Sequence, residues 1–483
     1  MITFIIGLII LLAGGAIYGK VCEKVFGPDD RKTPAIKMHD GVDYVPMKKW
    51  KNSLIQLLNI AGTGPILGPI QGILFGPIAF LTIPIGCVIG GAFHDYMSGM
   101  ISVRNDGAQM PSLIRKYLGK NICVIYNIFV ALLMLLVAAV FIYTPGDLFV
   151  TQIIKGDSSF TNPVVWIVYG AIFVYYIIAT MFPIDKIIGR VYPVFGGILL
   201  LSAIGIFIGI FVKGYPLNEL WEIGVAGVHP KGLHFIPIFF VTVACGIVSG
   251  FHSTQATLIS RTMEHEKEGR MTFYNMMIAE GFIAMIWAAA TMGVLNMGFA
   301  TFETSATEVV GIVANHMLGT VGGIIAIIGV IVLPITSGDT ALRSLRLMTG
   351  DVLHIDQSKK RNRLLISFVL FAIVALLLIF SKANTEGFNI LWRYFAWANQ
   401  TIAVFAFAMI AVYMIRNKKP YIMSLIPGMF YMFIISSFIS NATIGFGLSW
   451  PVSYTIGAVL TIAYCVAVIY CGKNRDPQLG SKR

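Results

Sequence analysis

The stretch Ala61-Gly62-Thr63-Gly64-Pro65-Ile66-Leu67-Gly68-Pro69 lies in the middle of an apolar segment that is long enough to cross a membrane. Two prolines and three glycines fall within eight residues there. Because proline removes an amide donor and glycine weakens a helix, a continuous helical hydrogen-bond ladder is not expected. Open backbone at membrane depth is tolerated only where it is packed in protein or lines a cavity. The stretch therefore predicts a broken helix, with a proline kink in a packed helix as the alternative.

The whole chain has the composition of a polytopic membrane protein. Of its 483 residues, 57% are hydrophobic and 12% are charged, whereas about 25% charged residues are usual in a soluble domain. Its hydrophobic stretches are about 18 to 27 residues long, which suits helices that cross ~30 Å of hydrocarbon. This pattern predicts an all-α membrane protein and excludes an ordinary soluble enzyme. The thirteen predicted spans are 2–19, 53–75, 77–103, 122–144, 163–181, 191–212, 233–260, 273–297, 320–342, 364–381, 390–415, 421–440 and 453–471.

Basic residues indicate the orientation of these spans. When the loops are assigned alternately to two sides, all but five of the 35 Lys and Arg residues fall on one side. The exceptions are Lys155, Lys213, Lys231 and Lys382 on the other side, and Arg393 inside a span. Because basic loops stay in the cytoplasm, the amino terminus is predicted outside the cell and the carboxyl terminus in the cytoplasm. The segment 304–318 is too short to span and is expected to be an external or re-entrant helix.

Charge and cysteine content exclude several kinds of partner. The net charge of +12 is explained by the basic loops, so no nucleic-acid partner is expected. The six cysteines form no Cys-x-x-Cys pair, so neither a disulfide framework nor a zinc site is expected. The chain carries no phosphate-binding loop of the kind that ATP-driven pumps use. We therefore expect no metal and no cofactor, and the sequence leaves the oligomeric state open.

A second predicted span, residues 233–260, is also interrupted by small and polar residues. The interruption reads Ala244-Cys245-Gly246-Ile247-Val248-Ser249-Gly250-Phe251-His252-Ser253-Thr254-Gln255. This span is predicted to run opposite to span 53–75. Two interrupted helices at corresponding positions of oppositely oriented halves are typical of an inverted-repeat secondary transporter. The predicted division is a first helix with a basic loop at 1–52, repeat one at 53–232, repeat two at 233–420, and two last helices with a cytoplasmic tail at 421–483.

Several short motifs occur in order along the chain. Besides the Ala-Gly-Thr-Gly-Pro break with Gly68-Pro69, they are Asp40-Gly41-Val42-Asp43-Tyr44-Val45-Pro46, Gly91-Ala92-Phe93-His94-Asp95, Ser102-Val103-Arg104-Asn105-Asp106-Gly107, Ser249-Gly250-Phe251-His252 and Ala398-Asn399-Gln400. Between Asp40 and Gln400 the sequence resembles the carbon starvation protein A family of peptide and pyruvate transporters. The resemblance implies uptake of peptides or pyruvate across the bacterial inner membrane, coupled to an ion gradient, with protons favoured over sodium. It also implies a fold similar to the five-plus-five inverted repeat of the bacterial leucine transporter.

Ionisable side chains inside predicted spans are candidates for ion coupling, since a charge there costs several kcal/mol unless it faces protein or water. Asp95 is nine residues from Arg104 and therefore roughly 13 Å inside the cytoplasmic edge, with His94 beside it. Glu280 lies ten residues past Arg270 in another span. We expect His94, Asp95 and Glu280 to bind and release protons. A structural His-Asp pair and a protonated packing carboxyl are the alternatives.

A further coupling site is predicted at the end of span 320–342. In a fold similar to that of the leucine transporter, this span contributes hydroxyl ligands to a sodium site. The candidate residues are Thr336, Ser337, Asp339 and Thr340. Asp339 is also an i,i+4 neighbour of Arg343 and can simply pair with it. Sodium is the weaker expectation beside protons.

The substrate is predicted near the membrane midplane, between the two breaks. Half-helix amino termini and free backbone amides would bind the carboxylate of a peptide or a 2-oxo acid there. The predicted substrate-binding residues are Gly62, Thr63, Gly64, Pro65, Ser249, Gly250, His252, Gln255, Asn399 and Gln400. Interhelical packing is the alternative for Asn399 and Gln400. The rival functions are an ion or solute channel, and an intramembrane metalloenzyme that uses His94, Asp95, His252 and Glu280.

Overall fold

A computed structural model describes residues 1–40, 43–181, 185–225, 228–353, 355 and 359–474. Every regular element in these ranges is helical, which confirms the predicted all-α class. In chain order the α-helices are α1 (Ile2–Ile9), α2 (Gly15–Phe26), α3 (Pro34–Lys37), α4 (Lys49–Ile60), α5 (Gly64–Gly72), α6 (Ala79–Gly86), α7 (Ala92–Val103), α8 (Met110–Leu118), α9 (Lys120–Leu148), α10 (Pro163–Met181), α11 (Asp185–Val212), α12 (Leu220–Ile223), α13 (Phe240–Thr242), α14 (Gly250–Ile259), α15 (Met276–Asn296), α16 (Ala306–Val352), α17 (Lys360–Ala383), α18 (Gly387–Arg416), α19 (Ile422–Asn441) and α20 (Trp450–Asn474). Short π-helical turns join several of them: Ile10–Gly14, Cys87–Gly91, Phe149–Ile154, Phe235–Phe239 and Arg270–Asn275.

The number of membrane spans is close to the predicted one. Within the described ranges, ten helical segments are long and apolar enough to cross a membrane, and eleven if the bent pair α4 and α5 is one span. The two predicted spans outside this count are α10, whose apolar part Pro163–Ala179 is short, and the interrupted segment with α13 and α14. The chain is thus a multi-pass membrane protein, and the number thirteen stays a prediction.

The first predicted break lies between α4 and α5. α4 ends at Ile60, α5 begins at Gly64, and the two helix axes differ by 47°. Pro65 stands in the first turn of α5, where a helix needs no amide donor, so the proline starts the helix rather than interrupting it. The break therefore falls at residues 61–63, inside the stretch that predicted it.

The second predicted break lies between α13 and α14. α13 ends at Thr242, α14 begins at Gly250, and residues 243–249 between them are not helical. Gly246 has a φ of +97°, which a residue with a side chain rarely adopts, and Ser249 is extended. The small residues of this segment thus allow the chain to leave the helix and re-enter it.

The described chain folds into two compact units. Unit 1 comprises Met1–Phe129, Asn218–Met285 and Ala396–Arg483, and unit 2 comprises Val130–Leu217 and Ile286–Phe395. Both breaks belong to unit 1. Each unit contains segments of both predicted repeats, so the spatial division differs from the division by repeats. The inverted repeat and its boundaries stay a prediction.

Within unit 1, loops at the basic ends of the helices are held together by Glu266, whose side chain is fully buried. Arg104, just after α7, donates two hydrogen bonds of 3.1 Å to its carboxylate, and the amide of Asp29 donates a third. Hydrogen bonds from Arg31 hold the pKa of the Asp29 carboxyl below its usual range. This network ties the loop after α14 to the end of α7, and α7 packs directly against α14.

Within unit 2, α16 is 47 residues long and is interrupted at Gly319. The φ of this glycine is +72°, in the region that favours residues without a side chain. The part of α16 before Gly319 corresponds to the short helix predicted at 304–318, and its external or re-entrant position stays a prediction. The remainder of the helix includes the predicted span 320–342.

Candidate functional site

Asp95, in α7 of unit 1, is bonded to two histidines. Nδ1 of His94 lies 2.8 Å from its Oδ1, and Nδ1 of His252, in α14, lies 3.1 Å from its Oδ2. All three side chains are buried. Because an ionised carboxylate only accepts hydrogen bonds, each of these nitrogens carries a proton when Asp95 is ionised.

His252 faces a second acid with its other nitrogen. Nε2 of His252 lies 3.5 Å from Oε2 of Glu280, in α15. The Glu280 side chain is fully buried, and within the described ranges neither of its oxygens has a hydrogen-bond partner. We call His94, Asp95, His252 and Glu280 the His-acid cluster. It joins His252, predicted to bind substrate, to the three residues predicted to couple protons.

The protonation states open to the cluster depend on the hydrogen bonds that the His252 ring and the two carboxyl groups can make. With both carboxyls ionised, an imidazolium at His252 would give each of them a positive partner, through a hydrogen bond to Asp95 and through the 3.5 Å approach to Glu280. With a neutral His252 ring, one of the two carboxyls must carry the proton instead. Both arrangements contain one proton more than a neutral His252 ring between two ionised carboxylates. In that third arrangement, the ring nitrogen without a proton would face a carboxylate oxygen, and the two would repel each other. These arrangements differ in the atom that carries the shared proton, and the gain and loss of that proton stay a prediction.

Gly91 brings α7 close to the second break. A Cβ atom at Gly91 would lie 2.1 Å from the carbonyl oxygen of Ile247, so a side chain there would prevent the approach. Asp95 follows four residues later on the same face of the helix and contacts His252 just after the break. Sequence reasoning gives Gly91 no role, although its spacing to Asp95 is the signal that could have identified it.

The two breaks pack against each other within unit 1. A Cβ atom at Gly64 would lie 2.2 Å from Cβ of Cys245, and one at Gly72 would lie 2.2 Å from Cγ2 of Val243. The amide of Gly62 donates to the carbonyl of Ile60 at 2.9 Å. In this conformation the space predicted for a substrate beside Gly64 is filled by the Cys245 side chain.

Asn399, in α18, caps the half-helix that follows the second break. Its Oδ1 accepts the amide hydrogen of Phe251 at 2.8 Å, and its side chain also bonds Oγ of Ser249. A Cβ atom at Gly250 would lie 2.4 Å from the Asn399 carbonyl oxygen, which explains a glycine at the start of α14. Ser249, Gly250 and Asn399 thus contact one another, as in the packing alternative. Their role in substrate binding stays a prediction.

Two buried polar atoms near the breaks have no hydrogen-bond partner among the residues that the structure describes. They are Oγ1 of Thr63 and Oε1 of Gln400. The amide nitrogen of Gln400 donates to the carbonyl of Phe240. Gln255, by contrast, places its amide 3.3 Å from Oγ1 of Thr254. Thr63 and Gln400 therefore retain hydrogen-bonding capacity for a polar ligand, which is consistent with their predicted role.

The residues predicted for sodium belong to unit 2. Ser337 is buried in α16. The side chains of Thr336, Asp339 and Thr340 lie outside the part of the chain that the structure describes. Nη2 of Arg343 donates to the carbonyl of Ala179 at 2.7 Å. The sodium site and the pairing of Asp339 with Arg343 stay predictions.

Unit 2 contains a buried ion pair that sequence reasoning missed. Nζ of Lys382 lies 2.8 Å from Oδ2 of Asp147, and both side chains are 4% exposed. Lys382 also donates to the carbonyl of Ser158, and the hydroxyl of Tyr169 donates to Oδ1 of Asp147 at 2.7 Å. The sequence signal is an acid and a base at the same predicted end of two apolar helices.

The His-acid cluster is a row of alternating imidazole and carboxyl groups. Both nitrogens of His252 face carboxylate oxygens and do not converge with them on a common point. Across the described ranges, no group of three or more His, Cys, Asp or Glu side chains is arranged to hold a metal ion.

Comparison with known proteins identifies relatives along most of the chain. The family model described as "Carbon starvation protein CstA" matches residues 1–168, 144–316 and 287–437. An uncharacterized membrane protein of Haemophilus influenzae is 41% identical over 331 residues, which are 59% of this chain and 89% of that protein.

Proteins named peptide transporter CstA are more distant. The one from Helicobacter pylori (strain J99) is 26% identical over 332 residues, which are 56% of this chain and 47% of that protein. The one from Mycobacterium tuberculosis (strain H37Rv) is 26% identical over 352 residues, which are 59% of this chain and 45% of that protein. The match thus spans about half the length of these transporters.

The fold is also found among solved structures. A crystal structure of the Eremococcus coleocola manganese transporter, in complex with an aromatic bis-isothiourea substituted compound, aligns with a TM-score of 0.57. The alignment covers 88% of this chain and 96% of the other, at 12% sequence identity. At this identity the similarity concerns the fold alone.

Proposed function

The chain belongs to the carbon starvation protein CstA family, and we propose that it imports peptides or pyruvate across the inner membrane together with protons. The names of its relatives support peptides as the substrate class, and the resemblance to the family supports both. Family membership makes the metalloenzyme alternative wrong, because these proteins are transporters. That this chain itself transports such a substrate is part of the proposal.

The single observation that carries proton coupling is the position of His252 between two acids. Its two nitrogens lie 3.1 Å from Asp95 and 3.5 Å from Glu280. A buried carboxylate that lacks a positive partner is costly in a membrane, so removal of the cluster proton favours a rearrangement of these side chains. Proton binding would thus change how firmly α14 is held to α7 and α15.

Substrate binding is assigned to the two breaks for a separate reason. The amino-terminal ends of α5 and α14 carry the partial positive charge of helix termini, which attracts a carboxylate. The peptide bonds of a substrate could also use the hydrogen-bonding capacity of Thr63 and Gln400. Because Gly64 is in contact with Cys245 in this conformation, substrate entry requires the two breaks to separate.

Proton binding and substrate binding are coupled if both act on the same half-helix. α14 carries His252 in its first turn and begins at the second break. In a symporter, the change between outward-facing and inward-facing conformations occurs with both sites occupied or with both empty. A proton on the cluster and a substrate between the breaks would together allow α14 to move, and either one alone would not.

Uptake into proteoliposomes tests the proposal directly. Purified chain would be reconstituted and assayed with labelled dipeptides, tripeptides and pyruvate, under an imposed proton gradient and, separately, a sodium gradient. We expect accumulation of a peptide or of pyruvate under the proton gradient only. Accumulation under the sodium gradient alone would contradict proton symport and favour the predicted site at Ser337.

The channel alternative needs its own arm of the experiment. Vesicles loaded with unlabelled substrate should draw in labelled substrate without any ion gradient, and the rate should saturate with concentration. Non-saturable flux with no such counterflow would contradict a carrier and support a channel.

A further inference from the structure

A half-open cleft in unit 1 contains none of the residues assigned to transport. It lies between α9, α18, α19 and α20 and has a volume of about 350 Å³, within the range of roughly 300–1,000 Å³ usual for small-molecule pockets. Its walls are aliphatic and aromatic side chains, among them Phe129, Trp397, Phe405 and Tyr464.

The hydroxyl groups that line the cleft are turned away from it. Oγ1 of Thr401 donates to the carbonyl of Trp397 at 2.8 Å, and the hydroxyl of Tyr464 donates to the carbonyl of Val404 at 3.2 Å. Ser436 likewise donates to the carbonyl of Met432. These hydroxyl groups therefore offer no free donor to a peptide or an oxo acid, and the walls of the cleft are suited to a hydrocarbon chain.

One end of the cleft is basic. Cys471 and Leu118 line this end. Nη2 of Arg416 donates to the carbonyl of Cys471 at 3.2 Å, and the guanidinium lies 5.7 Å from the ring centre of Tyr117, next to Leu118. Nε of Arg416 is buried and has no hydrogen-bond partner within the described ranges. The residue as a whole is half-buried, so its guanidinium places a positive charge for an anion at the mouth of the cleft.

The helix segments around the cleft carry only positive charge. Neither residues 107–146 nor residues 387–474 contain an Asp or Glu. Three exposed cations lie nearby in the sequence of these helices. Arg115 is near the carboxyl end of α8, Lys120 is at the amino end of α9, and Lys473 is near the carboxyl end of α20. Juxtamembrane cations of this kind attract anionic lipid headgroups.

The depth of the cleft matches one leaflet of a bilayer. Its lining on α18 runs from Trp397 to Ala408, roughly 16 Å along a helix. Half of a ~30 Å hydrocarbon core has about this depth.

We propose that this cleft binds an anionic phospholipid of the leaflet at the basic helix ends, with one acyl chain in the cleft and the phosphate at Arg416. The lipid would be a bound component of unit 1 and would bridge α9 to the last two helices.

Quenching of Trp397 by brominated lipid tests this proposal on the full chain. The chain would be reconstituted in phosphatidylcholine vesicles that contain a minor fraction of either dibrominated phosphatidylglycerol or dibrominated phosphatidylcholine. The signal of Trp397 is the difference between the parent and Trp397→Phe. We expect the anionic brominated lipid to quench this signal at a clearly lower fraction than the zwitterionic one.

Variants separate the headgroup site from the acyl-chain site. Arg416→Gln should reduce the preference for the anionic lipid about fivefold, which corresponds to ~1 kcal/mol for one juxtamembrane cation, and Arg416→Lys should keep most of it. Ala467 lines the cleft and is exposed, so Ala467→Phe should reduce quenching by both lipids. The control is Lys24→Gln, which removes an exposed charge from the last turn of α2. It should change neither the preference for the anionic lipid nor the quenching by both lipids.

Three outcomes would overturn the proposal. Equal quenching of Trp397 by the two lipids would mean ordinary bilayer contact. An unchanged preference in Arg416→Gln would remove the headgroup site. Disulfide cross-links between copies of Ala467→Cys would assign the cleft to a second copy of the chain.

Discussion

The Cys245 side chain fills the space in which a side chain at Gly64 would begin. A Cβ atom at Gly64 would lie 2.2 Å from Cβ of Cys245 and 2.6 Å from its Sγ. Gly64 begins the half-helix after the first break and Cys245 lies in the second break, so the Cys245 side chain is what separates the two interrupted helices at this point. Substitutions at this contact test whether the fold needs the two breaks to be close together and whether substrate binding needs them to separate.

Gly64→Ala should weaken both stability and substrate binding. The added methyl group cannot fit beside Cys245, and overpacking of this kind costs about 1–3 kcal/mol. Thermal unfolding of the purified protein and binding of the transported substrate are the measurements. Cys245→Gly in the same chain should restore both. Gly170→Ala is the control, because a Cβ atom at Gly170 would meet nothing within 4 Å; an equal loss in the control would refute the packing explanation.

Asp95→Asn should abolish accumulation against a gradient while substrate exchange continues. The amide keeps the shape of the side chain and can still bond to a histidine, but it cannot take part in proton release. Accumulation and counterflow in proteoliposomes are the two readouts. Ser98→Ala, one turn along the same buried helix face, should preserve both. If Asp95→Asn concentrates substrate as well as the parent does, the coupling role passes to Glu280, where Glu280→Gln gives the same test.

Lys382→Met should destabilise the protein by about 3–5 kcal/mol, because it leaves Asp147 buried without its cation. The hydrogen bond from Tyr169 would remain, but it supplies no charge. Replacement of both partners, Asp147→Leu with Lys382→Met, should cost clearly less than the single change. Chemical denaturation followed by intrinsic fluorescence gives the comparison. If the loss of stability in the double variant equals the sum of the losses in the two single variants, the two residues are not coupled.

Glu219 should make the anchoring of the first helix dependent on pH. Burial tends to raise the pKa of this carboxyl, but hydrogen bonds from the terminal ammonium group, the Thr3 hydroxyl and the amides of Thr3 and Ile2 outweigh it and lower the pKa to about 2. The contribution of Glu219 to stability is therefore complete above its ordinary value of 4.5 and is lost as the pH falls toward 2. Unfolding temperatures of the parent and of Glu219→Gln should differ at neutral pH and converge in acid. A constant difference across this range would contradict the assignment.

Thiol labelling of intact cells should reveal the orientation. Cys introduced for Lys155 or Lys231 should react with an impermeant reagent added outside, and Cys introduced for Lys267 or Lys359 should react only after the membrane is opened. The expectation rests on the distribution of basic residues, and all four side chains are exposed. The parent chain gives the background from its own cysteines. Outside labelling of Lys359→Cys would reverse the predicted orientation of that part of the chain.

Sequence reasoning identified the helix breaks because their cause is local. Proline and glycine act on the hydrogen bonds of their own turn, so residues 61–69 and 244–255 could be interpreted without any partner. The bridge formed by His252 could not be inferred in this way. Asp95 and Glu280 are 157 and 28 positions away from it in the chain, and only the packing of α7, α14 and α15 brings the three together. Asn399 illustrates the same limit, because its partners at the second break are set by the packing of α18.

The distance along the chain between Asp95 and His252 has a consequence for biosynthesis. A ribosome that adds ~5–20 residues per second needs roughly 8–30 s to make the 157 residues between them. During that interval Asp95 has only His94 of its own helix and no histidine from α14, and a carboxylate without a positive partner costs several kcal/mol in hydrocarbon. The nascent helix must therefore either enter the bilayer with an extra proton on Asp95 or His94, or wait beside the insertion machinery until α14 has been made.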